Sequence, residues 1–207
     1  MKKEGSFSVI ILAAGYSSRM KYPKIFLPFD DNRTFMEKII DTYADSGVSD
    51  IVMVINQHVE KKVRSVLSMN PEYDKIKIVL NHFPERGRFY SLQQGVENPP
   101  CSTCFIQNAD NPFISVELLN KMMGHATVAS YVVPVYMGKA GHPVLAGRDI
   151  MKYLLLEKGD DCNLRKEFEK FSRIEVSWPH EDILVNINTP SDYQNVFGHA
   201  KCLSEIN

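Results

Sequence analysis

Apolar and polar positions follow two rhythms along this chain, and the alternation between them lays out its elements. Residues 7–13 (Phe-Ser-Val-Ile-Ile-Leu-Ala) form a short, nearly continuous apolar run, and residues 50–55 repeat it with Ile-Val-Met-Val-Ile after Asp50. Runs of that kind suit strands buried on both faces of a parallel sheet. Between them, Thr34 and Glu37 form a capping box that opens a helix running to about Ser46, and Gly47 closes it. A helix over 59–69, a strand over 76–80, a polar loop over 81–88 and a short helix around 91–96 follow. Next come a strand over 103–107 and a helix opened by Ser115 that ends near Gly124.

The second half is less regular. Residues 129–135 and 141–145 predict strands, 149–157 and 163–171 predict helical pieces, and 174–178 and 183–187 predict two more strands. Thr189 caps a last helix, with Pro190 at its first position and Asp192 completing the cap. No repeat, low-complexity tract or linker interrupts the pattern, so one domain over residues 1–207 is the economical reading. The βαβα opening predicts an α/β fold with an open, mostly parallel sheet and helices on both faces. Ligands of such sheets bind outside the carboxyl ends of the strands, so functional residues are sought just after a strand.

Composition narrows the partners. Lys and Arg total 24 against 25 Asp and Glu, a formal net charge of −1, so nothing draws the whole chain to nucleic acid or an anionic membrane. Any phosphate affinity has to be local. No segment approaches about 18 uninterrupted apolar residues, so neither a membrane span nor a signal peptide is expected. Four cysteines without a secretory signal make a reduced, cytoplasmic setting the expectation. Cys101 and Cys104 form a CxxC, but no second pair completes four ligands, and the plainer reading is incidental loop cysteines.

Residues 12–24 carry the strongest chemistry. Leu12 ends the first strand, and Ala13, Ala14 and Gly15 have so little side chain that a ligand can approach their backbone N–H groups. Arg19 and Lys24 then supply two placed cations, which suits a polyphosphate. The loop is neither GxxxxGK[ST] nor GxGxxG. A tight turn with solvated cations is the alternative, and the ordered set of small residues, Ser17-Ser18, Arg19, Pro23 and Lys24 argues against it.

Three further segments fit around that loop. Asn108 and Asp110 directly follow a strand, and a carboxylate there suits Mg²⁺, which takes few protein ligands and keeps phosphates and waters for the rest. The alternative is an Asx turn in which Asp110 bonds its own backbone. Asn188 could offer an amide oxygen to the same ion, or serve as ordinary turn chemistry before a capped helix. Residues 81–91, with Glu85, Arg86, Gly87, Arg88 and Ser91, read as a loop closing over a nucleotide, or as a solvated charged loop. For an acceptor, His142 and Arg165 are the candidates in the second half, each with a plainer structural alternative.

Taken together these residues resemble the MobA-like nucleotidyltransferase family, most of all its molybdenum cofactor cytidylyltransferase branch. The resemblance rests on residues 12–24, Asn81…Gly87…Ser91-Leu92…Gly95, Asp110-Asn-Pro-Phe113, Gly141-His-Pro-Val-Leu145 and Asn188-Thr-Pro-Ser-Asp-Tyr193. It implies a Rossmann-like, doubly wound sheet of the nucleotide-diphospho-sugar transferase type. It also implies a nucleoside triphosphate held by Ala13–Gly15, Gly87, Ser91 and Asn108, with Arg19 and Lys24 on its phosphates and Mg²⁺ on Asp110. Ala13-Ala14-Gly15 tilts the choice of nucleotide toward CTP, because the guanylyltransferase branch tends to have Ala-Gly-Gly. Two positions depart from the family pattern: Lys21 replaces a usual glycine, and Asn188 replaces the usual late aspartate.

The reaction implied is transfer of a nucleoside monophosphate to a phosphorylated acceptor with release of pyrophosphate. A sugar-phosphate, alditol-phosphate or phosphocholine nucleotidyltransferase would use the same donor site. A nucleotide sensor without chemistry and an NAD-dependent oxidoreductase are the more distant alternatives.

Overall fold

Strands that are apolar on both faces must lie where both faces are covered, and β1 (Phe7–Ala13) and β2 (Asp50–Ile55) do. The computed structural model describes residues 6–97, 103–157 and 162–198. Along β1, Val9 and Ile11 pack on one side of the sheet against α1 (Phe35–Asp45), α2 (Gln57–Ser68) and α4 (Val116–Met123). Ile10 points the other way, into a core shared with α3 (Gly87–Glu97), α5 (Arg148–Leu156) and α6 (Leu164–Phe168). A period of two along the strand therefore feeds two separate cores, which makes the fold doubly wound.

The other strands are β3 (Lys77–Leu80), β4 (Thr103–Asn108), β5 (Ser130–Tyr136), β6 (Lys139–Ala140), β7 (Val144–Ala146) and β8 (Ser172–Ser177). Their order is β3-β2-β1-β4-β7-β5-β6, with β8 pairing with β5. β1 pairs in parallel with both β2 and β4, whereas β7 runs antiparallel to β4 and β5. The strand order reverses between β1 and β4, and Leu12 lies opposite Asn108 there. Ligands of such sheets bind at that switch point.

Local signals set most helix ends. Thr34 and Glu37 form the expected capping box, as do Thr189 and Asp192 at α7 (Pro190–Phe197). α3 begins at Gly87, four residues before the expected start, so Arg88 lies in its first turn. Residues 183–187 are not a strand: Glu181–Leu184 is a 3₁₀ turn, and the stretch after it pairs with no sheet strand. The carbonyls of this segment are engaged locally instead: the Asn111 amide donates to Ile183 (3.3 Å) and Val185 (2.6 Å), and His142 N–H also donates to Ile183 (2.9 Å). Cys101 lies outside the described residues, and Cys104 is buried in β4. Among the described residues no helix is long and apolar enough to cross a membrane.

Gly95 brings α3 close to the sheet. A Cβ added there would fall 2.6 Å from Ile10 Cγ2 and 3.0 Å from Val54 Cγ2. Gly95→Ala is therefore expected to destabilise the fold by about 1–3 kcal/mol through overpacking, read as a lower denaturation midpoint.

Candidate active site

The loop after β1 is held from beneath. Asn56, 3% exposed at the end of β2, donates its amide to the Ala14 carbonyl (2.8 Å) and accepts from His58 N–H as the cap of α2. That fixes the peptide leading into Gly15. A Cβ built on Gly15 would meet nothing within 4 Å, so its backbone opens onto free space. In sequence Asn56 reads only as an ordinary helix cap, so its hold on the loop is visible only in the fold.

Further along, the Ser17 carbonyl accepts from Met20 and Lys21 N–H (2.9 and 3.0 Å). Met20 is 2% exposed and packs with Leu27, Phe35, Ile187 and Tyr193, which ties the loop to the segment before α7. Lys21 sits at φ 58°, in the left-handed region. A lysine there stands where glycine relieves backbone strain.

Lys24 occupies the centre of the arrangement. Its Nζ donates to Asn188 Oδ1 (2.7 Å) and to Asp110 Oδ2 (3.3 Å), and Arg19 Nη2 donates to the same Asn188 oxygen (3.3 Å). The Lys24 and Asp110 side chains are only 15% and 17% exposed. Three segments far apart in sequence thus meet at one ammonium. Asp192 lies next to this group but is committed elsewhere: its Oδ2 accepts from Asn188 and Thr189 N–H (2.9 and 2.8 Å). Those bonds to the carboxylate hold the Asp192 pKa below its ordinary value.

A cleft of about 260 Å³ opens beside Lys24. Leu12, Ala13, Ala14 and Gly15 line one part of it, and Gly87, Arg88 and Ser91 another, with Asn108 and Asp110 alongside. Ser91 is buried, and its hydroxyl is engaged within the loop: it donates to the Gly87 carbonyl (3.1 Å) and accepts from the Asn81 amide (2.9 Å). His142 adjoins the cleft, with its Nε2 and Nδ1 3.3 and 3.4 Å from the Asn108 amide nitrogen. Burial pushes the His142 imidazole below its ordinary value, Arg88 pushes the same way, and Asp110 partly opposes them. Arg165 is not brought to this site. Its side chain is 90% exposed and lies 3.8 Å from Glu169 on its own helix.

The oxygens around Lys24 also fit a hard divalent cation. Asp110 Oδ1 is buried without a hydrogen-bond partner among the described residues. Asp110 Oδ2 and Asn188 Oδ1 already bracket a positive charge. Among the described residues no group of three His, Cys, Asp or Glu forms a closed metal cage. One or two protein oxygens, with the rest from phosphates and water, is how Mg²⁺ is ordinarily held at phosphate sites.

The MobA-like NTP transferase domain model matches residues 9–173. The chain belongs to that family. It is a nucleotidyltransferase, as its relatives are. It is similar to the molybdenum cofactor cytidylyltransferase of Escherichia coli (strain K12), 23% identical over 187 residues, covering 89% of this chain and 92% of the relative. It is likewise similar to a probable molybdenum cofactor guanylyltransferase of Methanosarcina mazei, 23% identical over 213 residues, covering 97% and 94%. Among solved structures, a nucleotidyl transferase from Methanothermobacter superposes with a TM-score of 0.77 at 24% identity, over 94% of this chain and 97% of that one. The sheet and its switch point are those of a nucleotide-diphospho-sugar transferase fold.

Two outcomes follow from this geometry. Lys21→Gly should raise the free energy of unfolding by about 1 kcal/mol, measured by chemical denaturation, because it removes left-handed strain. For His142 the depressed native pKa means that the unfolded chain binds the proton more readily. Its contribution is present above pH 6.5 and lost as pH falls through the native pKa. NMR titration should give an imidazole midpoint below 6.5, and stability should fall less steeply in acid for His142→Gln.

Proposed function

We propose that the chain transfers a nucleoside monophosphate, CMP from CTP, to a small phosphorylated acceptor with release of pyrophosphate, and that Mg²⁺ assists. The observation that carries this reading is the meeting of Lys24, Asp110, Asn188 and Arg19 beside the open backbone at Gly15. CTP is favoured by Ala13-Ala14-Gly15 and by the cytidylyltransferase relative, which also suggests a molybdenum-cofactor acceptor. Asn188, an amide in place of the family's usual carboxylate, favours a second reading with a sugar-phosphate or alditol-phosphate acceptor.

In this mechanism the triphosphate lies along residues 13–15, with backbone N–H groups toward its oxygens. An ionised phosphate oxygen of the acceptor attacks the α-phosphorus in line. The new P–O bond forms as the bond to the β-phosphate oxygen breaks, and pyrophosphate leaves with that electron pair. Arg19 and Lys24 stabilise charge on the α-phosphate and the departing pyrophosphate. Asp110 and Asn188 would hold Mg²⁺, which neutralises and orients phosphate oxygens when bound. No side-chain base is required, because a phosphate monoester is already ionised near pH 7. Asn108 would hold the nucleotide at the end of β4, and the acceptor would dock beside His142, whose ring nitrogens lie 3.3 and 3.4 Å from the Asn108 amide nitrogen.

The test is pyrophosphate release from each of the four NTPs with Mg²⁺ and a panel of phosphorylated acceptors. CTP should release it fastest; binding of NTP without release from any acceptor would overturn the enzymatic reading. Lys24→Ala should keep its circular dichroism spectrum and lose about 100-fold or more in kcat/KM. Turnover retained in that variant would place the phosphates elsewhere.

A further inference from the structure

We propose that Lys24 and Asn188 keep the metal position closed to a free divalent cation, so that the metal enters only together with the triphosphate. The inference rests on the reading of Asp110 and Asn188 as the metal's oxygen donors, and it concerns the order in which that site fills. Its starting point is that the Lys24 ammonium already sits among those oxygens, 2.7 Å from Asn188 Oδ1 and 3.3 Å from Asp110 Oδ2.

Charge decides the matter. Around the position stand three cations, Arg19, Lys24 and Arg88, against two carboxylates, Asp110 and Asp192, so the local balance is +1 before any ligand arrives. The Asp192 carboxylate is held by the backbone N–H groups of Asn188 and Thr189. His142 is held toward its neutral form by burial and by Arg88 and contributes no anion. A lone divalent cation would enter a positive field and would also have to displace an ammonium that is largely shielded from water.

A triphosphate reverses each term. Its oxygens outnumber the cations, and they offer Lys24 and Arg19 charge-assisted partners stronger than a neutral amide. Once Lys24 swings to the phosphates, Asp110 Oδ2 and Asn188 Oδ1 are free, and Asp110 Oδ1 lacks a partner among the described residues already. The amide at 188 matters here. An aspartate would hold Lys24 as well, but it would bring the local balance to zero and let a metal compete on its own. By linkage, whatever factor the nucleotide adds to metal affinity the metal returns to nucleotide affinity.

The experiment is a Mn²⁺ titration of the nucleotide-free protein, followed by the electron paramagnetic resonance of free Mn²⁺, with folding checked by circular dichroism. Wild type and Lys24→Arg should show no saturable site in the low-millimolar range. Lys24→Met and Asn188→Asp should each gain one site, with affinity raised about tenfold or more. Equal behaviour of wild type and both gain variants, whether all bind or none does, would overturn the inference. Metal-dependent pyrophosphate release by wild type in that case would leave the proposed function standing. If instead the variants gain the site while no triphosphate and acceptor yield pyrophosphate, the function fails and the closed metal position stands.

Discussion

Two buried amides, Gln107 and Asn111, hold the site in register. Gln107 donates to the carbonyls of Asn108 (2.8 Å) and Asn111 (2.7 Å), and it accepts from the Tyr43 hydroxyl (2.9 Å). Asn111 then donates to Ile183 and Val185, and Ile187 N–H returns to the Asp110 carbonyl (2.8 Å). Both amide side chains lie in residues with no exposed surface. Polar groups that deep must be paired, so the network specifies one arrangement of the Asp110 turn and of the segment that carries Asn188. One atom remains outside it. Asn111 Oδ1 has no partner among the described residues, an unfavourable contribution of about 1–3 kcal/mol that the four donated bonds offset.

The opposite wall is held by different means. Residues 14–24 depend on one amide, Asn56, on the Ser17 carbonyl and on the anchoring of Met20 in an apolar cluster. The carboxylate side of the site is thus fixed by a hydrogen-bonded core, and the cation side by a loop with two residues at positive φ. For the proposed phosphate chemistry that division is useful, because the oxygens that would hold the metal stay fixed while Lys24 exchanges partners as phosphate arrives.

Much of this was legible in the sequence where the signal was local. The apolar runs of β1 and β2, the Thr34/Glu37 and Thr189/Asp192 caps and the small-residue loop each sit within a few residues of what they determine. Contacts across the chain were less legible. Lys24 and Asn188 are 164 residues apart, and their pairing was legible only through the roles assigned to each. Residues 183–187 carry the apolar pattern of a strand, yet a side chain more than 70 positions away takes their carbonyls. Arg165 had a suitable charge but sits on a short outward-facing helix, where a cation is simply solvated. Asn56 carries no sequence signal beyond a common helix cap, and its bond to Ala14 is not visible in one dimension.

The same distinction separates the two ligands of the reaction. The proposed donor grip combines the backbone and cations of the loop after β1 with Asn108 and Asp110 at the end of β4, two central strands covered on both faces. The strand residues beneath that grip tolerate little change, because their side chains fill the two cores. The proposed acceptor side is the turn between β6 and β7, two and three residues long, which carries His142 to the Asn108 amide. That turn is itself packed, with Gly141 and Pro143 buried and Gly141 and His142 N–H donating to the Pro134 and Ile183 carbonyls (2.8 and 2.9 Å). Gly141 sets a limit: a Cβ there would lie 2.4 Å from the Ile183 carbonyl oxygen. The turn is therefore pressed against the same segment that delivers Asn188. On the proposed assignment, His142 toward the acceptor and Asn188 toward the metal share one backbone support, so a substitution at residue 142 is expected to shift the oxygens around Lys24.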